Sequence, residues 1–336
     1  MSTLGLIIAG GTVAYTALLT PSPAFKKTAI DFSVHDEQGL PVEGVHVVYY
    51  HVHWIAGTQL IRVLNFIPKL QERDTFVVKQ HVVTDAQGKG KMRYQTVEPI
   101  TPILVFDKDG WYKSYHKIEY EGLKGNTNLP YPMKMNITMK QMKNQMTTFV
   151  VQAEYLKYPF TSDEPVGYDM LKGDWMPPWG SGETEDITIK AQKFESKGPY
   201  SPRSTLEVTF QREGNGVQGI PNQLIARESQ FYFPYLAFTD GYEIQELVVQ
   251  DTYKRSSRDM TKKSNFETDF FFFRIRTQKD ENGNVVSALY GIIFDTTAVS
   301  GGNKWMEVKL PYRINKTPND RNIELAKDEY GRFIIK

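Results

Sequence analysis

Beyond residue 26, apolar and polar positions follow one another in short runs that turn signals interrupt. Residues 29–36 read AIDFSVHD and alternate with a period of two, which is typical of a half-buried strand. Residues 45–54 read VHVVYYHVHW and are rich in β-branched and aromatic side chains, which favour strands. The pattern predicts an all-β chain.

Turns of the form Asp-x-x-Gly separate many of these runs. Asp starts such a turn through its side chain, and Gly supplies the positive φ that closes it. Between two long apolar runs, FFFFRIRT and VVSALYGIIF, the stretch QKDENGN predicts a hairpin with Asn282 and Gly283 at its tip. Strand, turn and strand repeat at close spacing, which favours β-sandwiches over alternating strands and helices.

The length of 336 residues allows two domains, each with its own core. We expect two β-sandwich domains, residues 27–145 and residues 146–336, preceded by an N-terminal apolar segment, residues 1–26. The first domain is expected to be transthyretin-like or immunoglobulin-like, for the reasons given below.

The N-terminal segment contains an uncharged apolar run at residues 4–19. Ser22 and Ala24 then fit the small-residue positions of a signal-peptidase site. The run is shorter than the roughly 20 residues that span a bilayer. Lys26 follows the run and no basic residue precedes it, and by the positive-inside rule this arrangement favours the orientation that does not export the body of the chain. A cleaved signal peptide, a membrane anchor and a buried apolar segment stay open. The first two predict a periplasmic or extracellular protein, with membrane contact through residues 4–19 if they are retained.

The composition excludes several function classes. Forty basic and 39 acidic residues give a net charge of +1, so no overall field favours nucleic acid, and we expect no nucleic-acid partner. With no cysteine, the chain has no disulfide, thiolate nucleophile or iron–sulfur cluster. The sequence also lacks a P-loop, a dinucleotide-binding glycine motif, a His-Glu-x-x-His motif and a nucleophile elbow. We expect no cofactor, and a non-catalytic role is favoured.

Three stretches of the first domain resemble the carboxypeptidase-regulatory-like, transthyretin-like β-sandwich. They are VHDEQGLPVEGVHVVYY, HVVTDAQGKGKMRY and PILVFDKDGWYKSYHKI, and their matching residues are Asp36, Gly39, Pro41, Gly44 and Val47, then Thr84, Asp85 and Gly88, then Gly110, Trp111 and Tyr112. The resemblance covers residues 27–125, with a departure at residues 54–76 that implies an insertion. It implies a sandwich fold and a non-catalytic, extracytoplasmic module, often found at membranes or on glycans. The remainder resembles uncharacterised exported bacterial proteins, a resemblance that implies no activity.

Residues 167–187, GYDMLKGDWMPPWGSGETEDI, hold the main candidate site. Tyr168, Trp175 and Trp179 stand here among carboxylates, of which Asp169 and Asp174 are the foremost candidates, with Glu183 and Asp186 beside them. The aromatic rings suit stacking on a sugar, and two carboxylates suit glycoside hydrolysis. The same composition suits an ordered loop that packs on the sandwich or docks on a partner.

Histidine offers the candidate metal ligands. His51 and His53 lie two apart in a strand-like run, so they share a face of the strand. A metal site needs a third ligand, for which His81 and His116 are candidates. The alternative is that these histidines are hydrogen-bonded at a half-buried face.

Together these observations predict an exported or membrane-anchored β-sandwich protein without catalytic activity. Its expected role is that of a structural or accessory subunit that docks on a protein partner in a cell-envelope assembly. The alternative is a carbohydrate-binding module or a glycosidase that uses the acidic and aromatic residues 163–186.

Overall fold

The computed structural model describes residues 26–50, 80–96, 103–117, 133–146, 149–152, 155–159, 164–194, 200–254, 259–294, 297–300 and 306–324. In these ranges the chain forms 21 β-strands and one short 3-10 helix, and no α-helix. The predicted all-β class is confirmed. No helix among the described residues is long and apolar enough to cross a bilayer. The predictions for residues 1–25, for His51 and His53 and for the insertion at 54–76 lie outside the described residues.

The chain forms two compact units, Met1–Asp109 with Lys113–Met139, and Gly110–Tyr112 with Lys140–Lys336. The strands of the first unit are β1 (Lys26–His35), β2 (His46–Tyr50), β3 (Gln80–Val83), β4 (Lys89–Thr96), β5 (Ile103–Asp107), β6 (Ser114–Lys117) and β7 (Met133–Thr138). They form a three-stranded sheet in the order β4-β1-β7 and a four-stranded sheet in the order β3-β2-β5-β6. Strands β1 and β7 are parallel, and the other pairs in this unit are antiparallel.

Alternate residues of these strands build the core of the first unit. Phe32 of β1 and Phe106 of β5 are both buried, and their rings pack edge to face with centroids 5.5 Å apart. Because β1 and β5 belong to different sheets, this contact joins the two sheets as a sandwich. The Asp-x-x-Gly turn that enters β4 has the expected chemistry, since the Asp85 carboxylate accepts the N–H groups of Gln87 and Lys89. The transthyretin-like assignment stays a prediction.

The second unit contains β8 (Phe149–Gln152), β9 (Tyr155–Tyr158), β10 (Val166–Asp169), β11 (Asp174–Trp175), β12 (Ile187–Phe194), β13 (Tyr200–Thr209), β14 (Gly216–Gly219), the 3-10 helix Asn222–Leu224, β15 (Glu246–Lys254), β16 (Asp259–Ser264), β17 (Phe270–Lys279), β18 (Val285–Phe294), β19 (Thr297–Ser300), β20 (Met306–Lys309) and β21 (Tyr312–Asn315). A six-stranded sheet has the order β11-β10-β12-β13-β15-β16, and a five-stranded sheet has the order β14-β17-β18-β21-β8. A three-stranded sheet has the order β19-β20-β9.

The first six residues of β17, FFFFRI, show no alternation of apolar and polar positions because the strand is buried on both faces. Phe271 and Phe273 belong to a core shared with Leu206 and Val208 of the six-stranded sheet. Phe270 and Phe272 belong to a second core, in which residues 220–242 supply the covering side chains. The five-stranded sheet is therefore the middle layer of the unit. Each buried phenylalanine contributes about 1.5–3 kcal/mol relative to an exposed one.

Gly291 of β18 is a closely packed position in this middle layer, and it generates a prediction. A Cβ at this position would overlap the Phe273 ring and the Arg313 carbonyl oxygen. We expect Gly291→Ala to lower the free energy of unfolding by about 1–3 kcal/mol through overpacking, measured by urea denaturation.

The matched control is Ser287→Ala on the same strand, at a half-exposed position, which should change stability by less than about 0.5 kcal/mol. Equal unfolding midpoints for the two variants would contradict the close packing at Gly291.

Candidate functional site

The candidate site is the aromatic–acidic loop, defined as residues 167–187. It leaves β10, forms a short hairpin with β11 and returns as β12, so that β10 is paired on both sides. Gly173 closes the hairpin with a φ of +70°, and its N–H donates to the Asp169 carbonyl oxygen at 2.8 Å. The peptide bond between Pro177 and Pro178 is cis. The loop is thus continuous with the edge of the six-stranded sheet.

Asp169 fastens both arms of this loop with one carboxylate. Its Oδ1 accepts the backbone N–H groups of Leu171 and Lys172 at 3.1 and 3.0 Å, on the outgoing arm. Its Oδ2 accepts those of Glu183 and Thr184 at 3.1 and 3.0 Å, on the returning arm. The side chain is 4% exposed. Asp169 therefore acts as a structural acceptor at the centre of the loop.

Arg276 of β17 supplies the counter-charge. Its Nε and Nη2 donate to the two carboxylate oxygens of Asp186 at 2.8 and 3.0 Å, and Nη2 also donates to Asp169 Oδ1 at 3.0 Å. The Asp186 side chain is fully buried, and its Oδ2 also accepts the N–H of Met170 at 3.0 Å. Bidentate hydrogen bonds between arginine and a carboxylate are among the stronger hydrogen bonds in proteins. We call this group the Asp169–Asp186–Arg276 cluster.

A bulge in β17 turns Arg276 toward the loop. In a regular strand, Arg274 and Arg276 would share a face, because they lie two residues apart. Arg274 instead lies over the Tyr242 ring, in the second core, at 4.8 Å, whereas Arg276 reaches the carboxylates on the opposite side of the sheet. Pairing with β18 shifts register after Ile275, and Arg276 has a φ of +52°, which is uncommon for a residue other than glycine. The bulge thus re-aims this side chain.

Hydrogen bonds and charge pairing favour the ionised forms of Asp169 and Arg276. Burial alone would raise the pKa of Asp169, but the N–H groups of Lys172, Thr184 and Glu183 and the charge of Arg276 outweigh it and hold the pKa below its usual range. Burial alone would lower the pKa of Arg276, but its carboxylate partners raise it. Asp169 and Arg276 therefore stay charged at neutral pH.

Asp174 folds the proline-containing part of the loop back on itself. Its Oδ2 accepts the N–H and the hydroxyl of Ser181 at 2.8 and 2.7 Å, and its Oδ1 accepts the N–H of Trp175 at 2.8 Å. The Ser181 hydroxyl and N–H lower the pKa of Asp174. Both of its oxygens are thus occupied within the loop.

The three aromatic candidates of the loop have different environments. Tyr168 is fully buried, and Trp175 is nearly so; the Trp175 indole N–H donates to the Lys157 carbonyl oxygen at 3.0 Å. Trp175 packs edge to face on Tyr158 and Tyr168, with centroids 5.6 and 5.1 Å apart. The Trp179 side chain is 46% exposed. Among the five candidates, Trp179 alone combines an aromatic ring with broad exposure, so the predicted binding role depends mainly on it.

Sequence reasoning missed the part played by Arg276. Its signal was present as two charged residues in an otherwise apolar strand, FFFFRIRT. A partly buried arginine needs hydrogen-bond acceptors, which the carboxylate-rich loop could supply.

The histidine candidates do not assemble a conventional metal centre in the described part of the chain. No group of three or more His, Asp and Glu side chains with suitable spacing occurs there. His81 lies 2.8 Å from His46, ring nitrogen to ring nitrogen, and His116 Nε2 lies 2.8 Å from the Ser114 hydroxyl. The pairing of His51 with His53 stays a prediction.

The Asp169–Asp186–Arg276 cluster generates a prediction for stability. Arg276→Met would leave two buried carboxylates without their counter-charge, and we expect a loss of about 3–5 kcal/mol in the free energy of unfolding, measured by urea denaturation. The control is Lys279→Ala on the same strand, which removes a solvent-exposed ion pair with Glu213 and should leave the midpoint nearly unchanged. Similar midpoints for the two variants would refute the structural role of Arg276.

The lowered pKa of Asp169 generates a prediction for pH dependence. Because its pKa is lower in the folded chain than in the unfolded chain, its contribution is fully present above the ordinary aspartate pKa of about 3.9 and is lost as pH falls through the folded value. We expect Asp169→Asn to be less stable than the wild type at pH 7 and to lose less further stability in acid. Parallel stability curves between pH 7 and pH 3 would contradict this assignment.

Comparisons with known proteins give no family. No family model and no curated protein matches the sequence. A 3-chlorocatechol 1,2-dioxygenase from Rhodococcus opacus 1CP is 13% identical with a TM-score of 0.24; the match covers 34% of this chain and 60% of the dioxygenase. The full-length major pilin SpaD from Corynebacterium diphtheriae is 8% identical with a TM-score of 0.23, over 92% of this chain and 84% of the pilin. The major pilin subunit BcpA of Bacillus cereus is 10% identical with a TM-score of 0.20, over 84% and 95%. These likenesses carry no argument about function.

Proposed function

We propose that the protein is a non-catalytic, exported or membrane-anchored β-sandwich protein that acts as a structural or accessory subunit and docks on a cell-envelope assembly. One observation carries this proposal. The acidic groups Asp169, Asp174 and Asp186 are bound internally, whereas the Trp179 ring on the same loop is 46% exposed.

The occupied carboxylates argue against hydrolysis. A general acid must reach the leaving group and hold a proton at working pH. The Asp169 side chain is 4% exposed, and the pKa values of Asp169 and Asp174 are both lowered, so both carboxyls are ionised at neutral pH. Glycosidases need the opposite for their acid, which is a raised pKa. The pair therefore suits a scaffold better than a catalytic site.

The support beneath Trp179 favours docking. Tryptophan is enriched at the energetic centres of protein interfaces. A side chain on a preorganised loop loses less conformational entropy on binding than one on a mobile loop. Pro177 and Pro178 precede Trp179 and are also exposed, which extends the apolar surface. A protein partner with an apolar pocket fits this surface.

Two sequence features support the envelope location. Residues 4–19 have the composition of a signal peptide or an anchor. The first unit resembles modules that are usually extracytoplasmic. Both features remain part of the proposal.

The second candidate function is glycan binding through Trp179. An exposed indole offers an apolar face to a sugar, and the same loop carries the exposed polar side chains Lys172 and Glu183, which pair at 2.7 Å. This alternative needs no catalytic carboxylate.

The experiment for docking places the photo-crosslinking residue p-benzoylphenylalanine at position 179 of the full chain in its native cells. We expect one defined adduct with an envelope protein, identified by mass spectrometry, because position 179 would lie inside the interface. The control is the same residue at Glu281, on the exposed tip of the β17–β18 hairpin. Absence of an adduct at 179, or the same adducts at both positions, would contradict docking through this loop.

Titration of neutral and acidic oligosaccharides into the purified protein distinguishes glycan binding from docking. A docking subunit should give no change in tryptophan fluorescence. A saturable change that disappears in a folded Trp179→Ala variant would replace docking by glycan binding. We expect that variant to keep its stability within about 0.5 kcal/mol, because the side chain is exposed.

A further inference from the structure

Two histidines on neighbouring strands of the first unit lie side by side on the outer face of the four-stranded sheet. In the antiparallel pairing of β2 with β3, His46 faces Val83 and Val48 faces His81, so the two histidines are diagonal neighbours. Val45 and Val47 point into the core, which leaves His46 exposed, and His81 is exposed as well. His46 Nδ1 lies 2.8 Å from His81 Nε2, and the ring planes differ by 32°.

A shared metal ion requires a lone pair on each of the two facing nitrogens. A hydrogen bond between two imidazole nitrogens needs one N–H and one lone pair. If the shared proton moves through solvent to the distal nitrogen of the donor ring, both facing nitrogens present lone pairs. This change of tautomer leaves the number of bound protons unchanged.

The spacing suits a shared metal ion. Two nitrogen ligands at 2.0–2.1 Å from a metal lie about 2.9 Å apart at a right angle, and about 3.3 Å apart in tetrahedral geometry. The observed 2.8 Å is within tenths of an ångström of the first value. The facing nitrogens now point at each other, so each exposed ring would turn by about 45° to direct its lone pair at one ion.

We propose that His46 and His81 form a two-imidazole site for a late first-row divalent cation. This site binds Cu²⁺ more tightly than Ni²⁺ or Zn²⁺. The order follows from the general affinity of nitrogen sites for these ions. The third side chain nearest in register is Asp107, opposite His46 on β5, and Lys113 Nζ holds its carboxylate at 2.5 Å. Water therefore fills the remaining coordination positions.

The sheet preorganises this pair. Strand β2 lies between β3 and β5, and backbone pairing fixes the separation of the two residues before any ion arrives. A site held on strands loses less entropy on binding than one held on a loop. This inference is independent of the proposed docking function.

The test titrates CuCl₂ and ZnCl₂ into the purified, untagged full chain by calorimetry and records the Cu²⁺ paramagnetic resonance spectrum. We expect one Cu²⁺ per chain with coupling to two imidazole nitrogens, and weaker Zn²⁺ binding. His46→Ala and His81→Ala should each weaken Cu²⁺ binding at least ten-fold. His35→Gln, at a half-buried histidine on β1, is the matched control and should leave the affinity unchanged.

Circular dichroism checks that each variant folds, and His81→Asn serves as a second variant that keeps a polar group at this position. Unchanged Cu²⁺ affinity in the folded His46 and His81 variants would overturn the proposal. Loss of binding in a His51→Ala, His53→Ala double variant whose His46 and His81 are intact would overturn it equally, and would assign the metal to that other pair.

Discussion

The two-pronged contact of Arg276 with Asp186, shared with Asp169, is the interaction on which the arrangement of the aromatic–acidic loop depends. One cation lies between two carboxylates, so the cluster carries a net negative charge that guanidinium alone does not neutralise. Backbone N–H groups from both arms of the loop offset the remainder. Burying these carboxylates is unfavourable unless each is hydrogen-bonded or paired. The loop conformation that supplies all of these partners is therefore favoured over others.

This arrangement depends in turn on the double burial of β17. The strand places Phe271 and Phe273 in one core and Phe272 in the other, and both cores fix its orientation. At Arg276 the alternation breaks, and a positive φ in a bulge sends the side chain to the loop. The consequence at the surface is that Tyr168 and Trp175 are held in the core while Trp179 remains accessible. The burial of β17 positions Arg276, Arg276 binds the loop carboxylates, and the loop so held leaves Trp179 exposed.

Much of the fold was predictable because it follows from local chemistry. The Asp280 carboxylate accepts the N–H groups of Asn282 and Asn284, which confirms the predicted hairpin tip between β17 and β18. From Ile30 to His35 the alternation of β1 likewise reflects one buried face. These features need only neighbouring residues.

The site was less predictable because its contacts are distant in sequence. Arg276 and Asp169 are 107 residues apart, and neither period nor composition indicates that a bulge without glycine reverses Arg276. Loop composition also does not distinguish a core tryptophan, Trp175, from an exposed one, Trp179. His46 and His81 meet only through the register of β2 with β3, across 35 residues.

Amide hydrogen exchange of the wild-type protein, followed by NMR spectroscopy, tests the central claim most directly. The claim is that internal hydrogen bonds to Asp169 hold the loop as firmly as the adjoining strand. It predicts that the amides of Lys172, Glu183 and Thr184 exchange as slowly as the paired amides of β12, although they lie outside any strand. Exchange of these three amides at the rate of an unstructured peptide, while β12 stays protected, would contradict it.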